Sequence, residues 1–176
     1  MNDKSAVQVL FAATVYTPKT GDRKSLHRFV ETLKQQGVNV AGIIQKKKPM
    51  GKGEMSEVMA VDIRTGQQHS LNKPTRDSWE NRECSLDTTV LTQTTEILRS
   101  AVTDKVDLIV VEKFGDEEKN GGGLCDEILN GIASGVPFLV AVPETNLDEW
   151  TKRTGGTGTA LTFDESALQS WWMDAV

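Results

Sequence analysis

The sequence predicts an α/β domain in which a mostly parallel β-sheet is flanked by helices on both faces. Short, nearly continuous apolar runs suit strands that are buried on both faces. They alternate with segments whose apolar residues recur every three to four positions, as on one face of a helix. Strand–helix–strand units of this kind build parallel sheets through right-handed crossovers. The 176 residues, 38% of them hydrophobic, favour one domain with a substantial core.

The first such unit lies near the N-terminus. The apolar run 7–16 predicts the first strand, and a turn-rich segment ends it. Residues 26–33 carry apolar side chains at helical spacing, and Gly37 ends that helix. The β-branched run 38–44 predicts the second strand.

An inserted segment follows, over residues 45–86. The runs 57–63 and 67–71 flank Arg64-Thr65-Gly66, which indicates a β-hairpin with glycine in its turn. The segment has too few apolar residues for a core of its own. We therefore interpret 45–86 as a hairpin and loop insertion beside the sheet, within a single domain over 1–176.

The strand–helix alternation then resumes. Each apolar run is bounded by a capping or breaking residue. The predicted elements are a helix starting at Asp87, a strand over 106–111, a helix over 124–132 closed by Gly135, a strand over 137–142, a helical turn over 147–152, a short strand over 160–163, and a helix capped by Asp164. That last helix carries Trp171 and Trp172, of which one is expected to face the core and the other its edge.

Composition excludes several classes of protein. With 20 Lys and Arg against 25 Asp and Glu, the net charge of −5 argues against a protein that coats nucleic acid. Two cysteines, Cys84 and Cys125, do not build a disulfide framework. No apolar run approaches the ~20 residues needed for membrane insertion, and the N-terminus lacks the features of a signal peptide. We expect a cytoplasmic location.

The loop after the first strand is the first candidate site, because ligands collect at the carboxyl ends of strands in open α/β sheets. Lys24-Ser25 stands where a phosphate-binding Gly-x4-Gly-Lys-Ser/Thr motif, the Walker A motif, has its Lys-Ser/Thr pair. Pro18 and Arg23 replace its two glycines, so the backbone cradle is damaged. The helix N-terminus and its cations remain and favour an anion. The candidate anion-binding residues are Thr20, Gly21, Arg23, Lys24 and Ser25; a capped, solvated turn is the alternative.

The loop after the strand 106–111 is the second candidate site. Glu112 ends that strand, where P-loop proteins hold Mg²⁺ or orient a water molecule. Lys113, Gly122 and Gly123 offer a cation and backbone N–H groups to an anion. An exposed loop acid and a flexible lid or spacer are the alternatives.

A lysine run completes the candidate site. Residues 45–53 are predicted to form a basic loop, from which Lys46 and Lys48 would attract an anion over a short, screened range. A solvated charge run is the more common meaning of such a pattern. His27 is expected to be exposed, and neither His27 nor His69 has the spacing of a zinc site.

Several segments together resemble one protein family. It is an uncharacterised bacterial family of unknown function, found beside molybdate-transport genes and related to the P-loop nucleoside-triphosphatases, with a degenerate Walker A. The resemblance implies a P-loop-NTPase-like three-layer sandwich. The segments that carry it are Val15-Tyr16, 37–45, Arg64-Thr65-Gly66, Cys84-Ser85-Leu86-Asp87, 107–115, 121–124 and 135–144.

Three functional hypotheses follow. The first is an oxyanion-binding protein for molybdate or tungstate that uses the start of the first helix. The second is a Mg²⁺-dependent nucleotide-binding protein or weak NTPase or phosphotransferase. In it Lys24 contacts phosphate, Ser25 and Glu112 bind the metal, and Glu112 is the candidate catalytic residue. The third is a non-catalytic interaction module. The expected partner is a small inorganic or phosphate-bearing anion, and a homo-oligomer remains open.

Overall fold

The computed structural model describes residues 10–49, 56–72 and 88–176. The strands within these ranges are β1 (Phe11–Tyr16), β2 (Val40–Pro49), β3 (Ser56–Asp62), β4 (Gln68–Asn72), β5 (Leu108–Glu112), β6 (Phe138–Pro143) and β7 (Thr159–Thr162). The helices are α1 (Ser25–Gln35), α2 (Thr88–Thr103), α3 (Asp116–Lys119), α4 (Cys125–Ala133), α5 (Leu147–Arg153) and α6 (Glu165–Ala175), with a 3₁₀ turn at Glu144–Asn146.

All of these strands belong to one sheet, in the order β4-β3-β2-β5-β6-β1-β7. The neighbouring pairs β2-β5, β5-β6, β6-β1 and β1-β7 are parallel. Strand β3 is antiparallel to β2, and β4 is antiparallel to β3. The predicted α/β fold with a mostly parallel sheet between helices is therefore confirmed. The hairpin does not lie beside the sheet as expected, because β3 pairs with β2 and so extends the sheet at one edge.

Two apolar clusters cover the two faces of the sheet. On one face Phe29 and Leu33 of α1 pack with Leu168 of α6, and Trp171 and Trp172 are both buried there. On the other face α2, α4 and α5 contribute the second cluster. Each fully buried Phe or Leu stabilises the fold by about 1.5–3 kcal/mol. Because helices cover both faces of the sheet, the carboxyl ends of the parallel strands lie together along one edge, which we call the carboxyl edge.

Strand β2 runs further than the sequence predicts. The expected basic loop is wrong for residues 45–49, because these residues continue β2. Lys46 pairs with Met59 and Lys48 with Glu57, so β3 supplies the backbone partners along this polar half of β2. The remaining predictions on 7–9, 50–55 and 73–87, including Trp79, Cys84 and Asp87, lie outside the described residues.

Close packing of β2 against β5 depends on one glycine. Gly42 has φ of +121°, and a Cβ there would lie 1.9 Å from the carbonyl oxygen of Val110. Only glycine tolerates this conformation and this approach. The contact brings the carboxyl ends of β2 and β5 side by side.

Within the described residues, no helix is both long enough and apolar enough to cross a bilayer.

Candidate functional site

Glu112, at the end of β5, contacts helix α1 and strand β2 at the carboxyl ends of the parallel strands. Its Oε2 lies 2.6 Å from Nε2 of His27 on the first turn of α1, and it accepts a hydrogen bond of 2.8 Å from the backbone N–H of Gln45. The side chains of His27 and Glu112 are 25% and 18% exposed, so the expectation that His27 is exposed is wrong. The contact brings the predicted acid to within two residues of Ser25 along α1.

The loop between β1 and α1 is closed by its own hydrogen bonds. Thr17 N–H donates to Thr20 Oγ1 at 2.9 Å, and Thr20 N–H donates to the Thr17 carbonyl at 3.0 Å. Arg23 also donates to the Thr17 carbonyl, and its guanidinium lies 4.3 Å from the centre of the Tyr16 ring. Arg23, which replaces a motif glycine, is thus bound to its own loop.

Tyr16 lies where this loop faces the acids of the second loop. Burial raises the pKa of Tyr16 to about 12, Arg23 opposes the shift, and the negative charges of Glu112 and Asp116 add to it. The phenol therefore stays neutral at physiological pH. Its ring also contacts Phe163 edge to face, with ring centres 5.6 Å apart.

An acidic side chain lies at the start of α1. Oδ1 of Asp22 accepts a hydrogen bond from Lys24 N–H at 3.0 Å, and Ser25 Oγ donates to the Asp22 carbonyl at 3.2 Å. Arg28 pairs with the same carboxylate and with Glu165. The hydrogen bond from Arg28 lowers the pKa of Asp22. An external anion that binds the Lys24 N–H must therefore displace the Asp22 carboxylate.

The glycine-rich segment before α4 also binds an internal acid. The Glu118 carboxylate accepts hydrogen bonds from Gly115 N–H at 3.0 Å and Leu124 N–H at 3.2 Å. Gly122 N–H donates to the Glu117 carbonyl at 2.9 Å. The sequence predicts that Gly122 and Gly123 offer N–H groups to an anion. In the structure Gly122 N–H is bound to the Glu117 carbonyl, and the Glu118 carboxylate lies against Gly123.

Phe114 anchors the loop that carries these acids. Its side chain is fully buried and packs edge to face on Trp150, with ring centres 5.2 Å apart. Phe114 N–H donates to the Ala141 carbonyl at 2.9 Å, and its own carbonyl accepts from Asn146 Nδ2 at 3.1 Å. The loop after β5 is therefore fixed to β6 and to the 3₁₀ turn.

The predicted lysines are spread over the edge rather than gathered. Lys24, Lys46, Lys48 and Lys113 are all exposed. In the part of the chain that the structure describes, no hydrogen bond or ion pair joins Lys46 or Lys48 to the β1–α1 loop. Their contribution to anion binding is limited to screened, long-range attraction.

A cavity of about 210 Å³ lies beside Glu112, between the hairpin, the start of α2 and the loop after β5. Its lining comes from separate elements, so no local sequence pattern predicted it. The described lining residues are Ile43, Gln45, Ala60, Leu71, Leu91, Thr94, Glu112, Lys113, Gly115, Asp116, Glu117, Glu118, Gly123 and Leu124.

The donor set for a metal ion is small. Among residues 10–49, 56–72 and 88–176, no group of three or more His, Cys, Asp or Glu side chains is arranged to hold a metal ion. Magnesium needs fewer protein ligands, because it keeps several waters and is commonly bound by one or two side chains plus the substrate phosphates. Two oxygen groups lie at this edge, the Ser25 hydroxyl and the Glu112 carboxylate, because Glu112 contacts His27 two residues after Ser25.

Comparison with known proteins identifies the family. A family model described as "Protein of unknown function (DUF2478)" matches residues 11–171. The chain belongs to this family. It is also 35% identical, over 163 residues, to the molybdenum import ATP-binding protein ModC 2 of Bradyrhizobium diazoefficiens. That alignment covers 93% of this chain but only 18% of the relative.

A solved structure shares the fold. The solution structure of a human cancer-related nucleoside triphosphatase superposes with a TM-score of 0.62 at 18% sequence identity, covering 94% of each chain. The predicted α/β fold is thereby confirmed as one that a nucleoside triphosphatase also has.

Proposed function

We propose that this protein binds a nucleotide, together with Mg²⁺, at the carboxyl edge of its sheet between the start of α1 and Glu112. The observation that carries the proposal is the 2.6 Å contact between Glu112 and His27. It brings a carboxylate at a strand end to the helix turn that begins with Ser25. An acid and a hydroxyl at these two positions are what a Mg²⁺–phosphate complex requires.

Three of the predicted residues, Lys24, Ser25 and Glu112, then have a defined role. Lys24 contributes a cation to the phosphates, and the backbone N–H groups of the first turn of α1 donate to the phosphate oxygens. Ser25 and Glu112 would hold Mg²⁺, which supplies charge neutralisation of the phosphates when bound. The Ser25 hydroxyl donates its hydrogen to the Asp22 carbonyl, so its oxygen lone pairs would stay available to the metal ion, and the contacts of Glu112 with His27 and Gln45 both use Oε2.

Asp22 is the group that a phosphate replaces. The side chains of Asp22 and Arg28 are 54% and 46% exposed, so water and salt screen their attraction. The Asp22 carboxylate is therefore displaceable by a ligand of higher charge. Arg28, released from Asp22, would become available to the incoming phosphate.

We expect hydrolysis to be slow or absent. Pro18 has no N–H to donate and Arg23 carries a side chain where the motif needs glycine. Arg23 is also bound to the Thr17 carbonyl and stacked on Tyr16. A cradle without these glycines holds the terminal phosphate less closely, which favours binding over fast turnover.

Oxyanion binding, of molybdate or tungstate, is the second candidate. The name of the relative, a molybdenum import ATP-binding protein, favours it, as do the cations Arg23 and Lys24 at the helix start. The Glu112 carboxylate disfavours it, because a negative charge beside the site repels a lone oxyanion. A metal ion between Glu112 and the ligand removes that repulsion, which is why we place the nucleotide first.

Isothermal titration calorimetry tests the two candidates side by side. The ligands are ATP, ADP and GTP, each with and without Mg²⁺, and molybdate, tungstate, sulfate and phosphate. We expect the Mg²⁺-nucleotides to bind and Lys24→Ala to weaken them by about 10- to 100-fold, the value of one hydrogen bond to a charged group. Lys152→Ala, at an exposed position of α5, is the matched control.

The outcomes separate the hypotheses. Tighter binding of molybdate or tungstate than of any nucleotide would replace the first candidate by the second. No heat with any ligand would contradict both and favour the interaction module. A parallel turnover assay reports whether nucleotide is hydrolysed. The cytoplasmic location and the homo-oligomer stay predictions, and light scattering tests the latter.

A further inference from the structure

We propose that the cavity beside Glu112 binds a small aromatic compound that carries an amino or amidine group. This inference does not rest on nucleotide binding. The hairpin, the start of α2 and the loop after β5 line the cavity, whereas the proposed phosphate site uses the β1–α1 loop. Glu112 is the residue that the two sites share.

The volume sets the size of the ligand. An apolar protein cavity of roughly 150 Å³ accommodates a benzene molecule. The present cavity, at about 210 Å³, has room for one ring with a short substituent. Ligand pockets for drug-sized molecules typically begin at about 300 Å³, so a whole nucleotide does not fit.

The walls set the character of the ring. Ile43 and Ala60, which are buried, line the cavity together with Leu71 and Leu91, which are half-buried. These side chains come from β2, β3, β4 and α2, so their positions are fixed by the sheet and by the helix packed on it. Half-buried leucines facing an open space are a favourable surface for a flat apolar body.

The rim sets the charge of the substituent. Four acids, Glu112, Asp116, Glu117 and Glu118, line the cavity with one cation, Lys113, so acids outnumber cations among the described lining residues. Within the described residues, the contacts of Glu112 with His27 and Gln45 both use Oε2, so Oε1 is the oxygen that would accept from a ligand. Carboxylate oxygens accept hydrogen bonds most strongly from cationic N–H donors. A positively charged amidine or amine is therefore preferred over a neutral or anionic group.

Three probes of one shape test the charge preference. Benzamidine, benzamide and benzoate share a ring and differ in charge from positive to neutral to negative. Each is titrated into ¹⁵N-labelled protein while the backbone amide signals of Gln45, Gly115 and Gly123 are followed by NMR. We expect benzamidine to shift these signals at the lowest concentration and benzoate at the highest. Equal or stronger binding of benzoate would overturn the proposal, as would the absence of shifts at these three amides.

Two variants tie binding to the cavity. Leu71→Phe fills the space and is expected to abolish the benzamidine shifts, while Leu161→Phe, on β7 outside the cavity, leaves them unchanged. Asp116→Asn is expected to weaken benzamidine binding about two- to fivefold, because it removes one partly exposed negative charge from the cavity. If Leu71→Phe does not fold, Leu91→Phe replaces it. Unchanged benzamidine binding in the filled variant would refute the assignment.

The same samples distinguish this proposal from the previous one. Leu71→Phe is expected to bind Mg²⁺-nucleotide as the unaltered protein does, because Leu71 does not contact the β1–α1 loop. Loss of nucleotide binding in Lys24→Ala with benzamidine binding retained is the converse result. Each site therefore succeeds or fails on its own measurement.

Discussion

Replacing Glu118 by glutamine tests how the loop after β5 is held in place. The two carboxylate oxygens of Glu118 serve two backbone donors at opposite ends of the loop, Gly115 N–H at 3.0 Å and Leu124 N–H at 3.2 Å. Glutamine keeps one acceptor oxygen. Its NH₂ group faces the other backbone N–H. Because both groups are donors, no hydrogen bond forms there, and one of the two bonds is lost.

The expected cost is about 2 kcal/mol of the free energy of unfolding. A hydrogen bond to a charged group contributes roughly 1.5–3 kcal/mol, and the partly exposed Glu118 places this one in the lower half of that range. Leu124 is only 9% exposed and Gly115 is buried, so water recovers little of the loss at either backbone N–H. The bond retained at the other end becomes a weaker, neutral one.

Guanidinium denaturation, followed by tryptophan fluorescence, measures this change. Glu31→Gln, at an exposed position on α1, is the matched control and is expected to stay within about 0.5 kcal/mol of the unaltered protein. Hydrogen exchange provides the local readout: the amides of Gly115 and Leu124 lose protection in Glu118→Gln. If Glu118→Gln is as stable as the control, the carboxylate does not hold the loop and the reasoning is refuted.

Three further predictions concern backbone geometry, a helix cap and the helix start. Gly42→Ala is expected to cost about 3 kcal/mol or more in unfolding experiments, because its Cβ meets the Val110 carbonyl; Gly21→Ala, with nothing within 4 Å, should be near neutral. Hydrogen bonds from Thr162 and from backbone N–H groups lower the pKa of Asp164 from 3.8. The ionised Asp164 carboxylate therefore stabilises the folded protein fully above pH 3.8, and this stabilisation is lost as the pH falls through the lowered pKa of the folded state. Asp164→Ala should therefore cost about 1 kcal/mol at pH 7, with a smaller difference from the unaltered protein at pH 3. Asp22→Ala should tighten nucleotide binding in calorimetry by freeing the helix start; weaker binding would contradict the displacement of Asp22.

Local hydrophobic pattern was enough to predict most of the fold. The spacing of Leu26, Phe29 and Leu33 predicted α1, and all three side chains are fully buried. The apolar run 137–142 predicted β6, whose core residues are also fully buried. Such patterns work because a strand buried on both faces is apolar almost throughout, and a helix packed on the sheet is apolar along one face.

Pattern failed where a strand leaves the core. Lys46, Lys47 and Lys48 carry no apolar alternation, yet they continue β2 because β3 pairs with them along the chain. Here the backbone hydrogen bonds of a neighbouring strand determine the structure, rather than burial of side chains. The short helix α3 was missed for a related reason, since none of its residues is buried.

The site was only partly predictable. Glu112 was found from its place at the end of a buried strand, whereas its partner His27 lies 85 residues away in sequence, and no local pattern reports such a contact. Two other features did leave a signal. Asp22, just before α1, is a typical residue for a helix start, and Glu118, three residues after Gly115, has the spacing of a capping box.

The most direct test of nucleotide binding at this edge is the effect of Mg²⁺ on ATP affinity in two proteins, the unaltered chain and Glu112→Gln. Calorimetry with and without the metal gives four dissociation constants. If Glu112 holds Mg²⁺ against the phosphates, the metal tightens ATP binding by about tenfold or more in the unaltered chain, a contribution of ~1.4 kcal/mol, and has little effect in Glu112→Gln. An equal effect of Mg²⁺ in both proteins, or none in either, would contradict the assignment of Glu112 to this site.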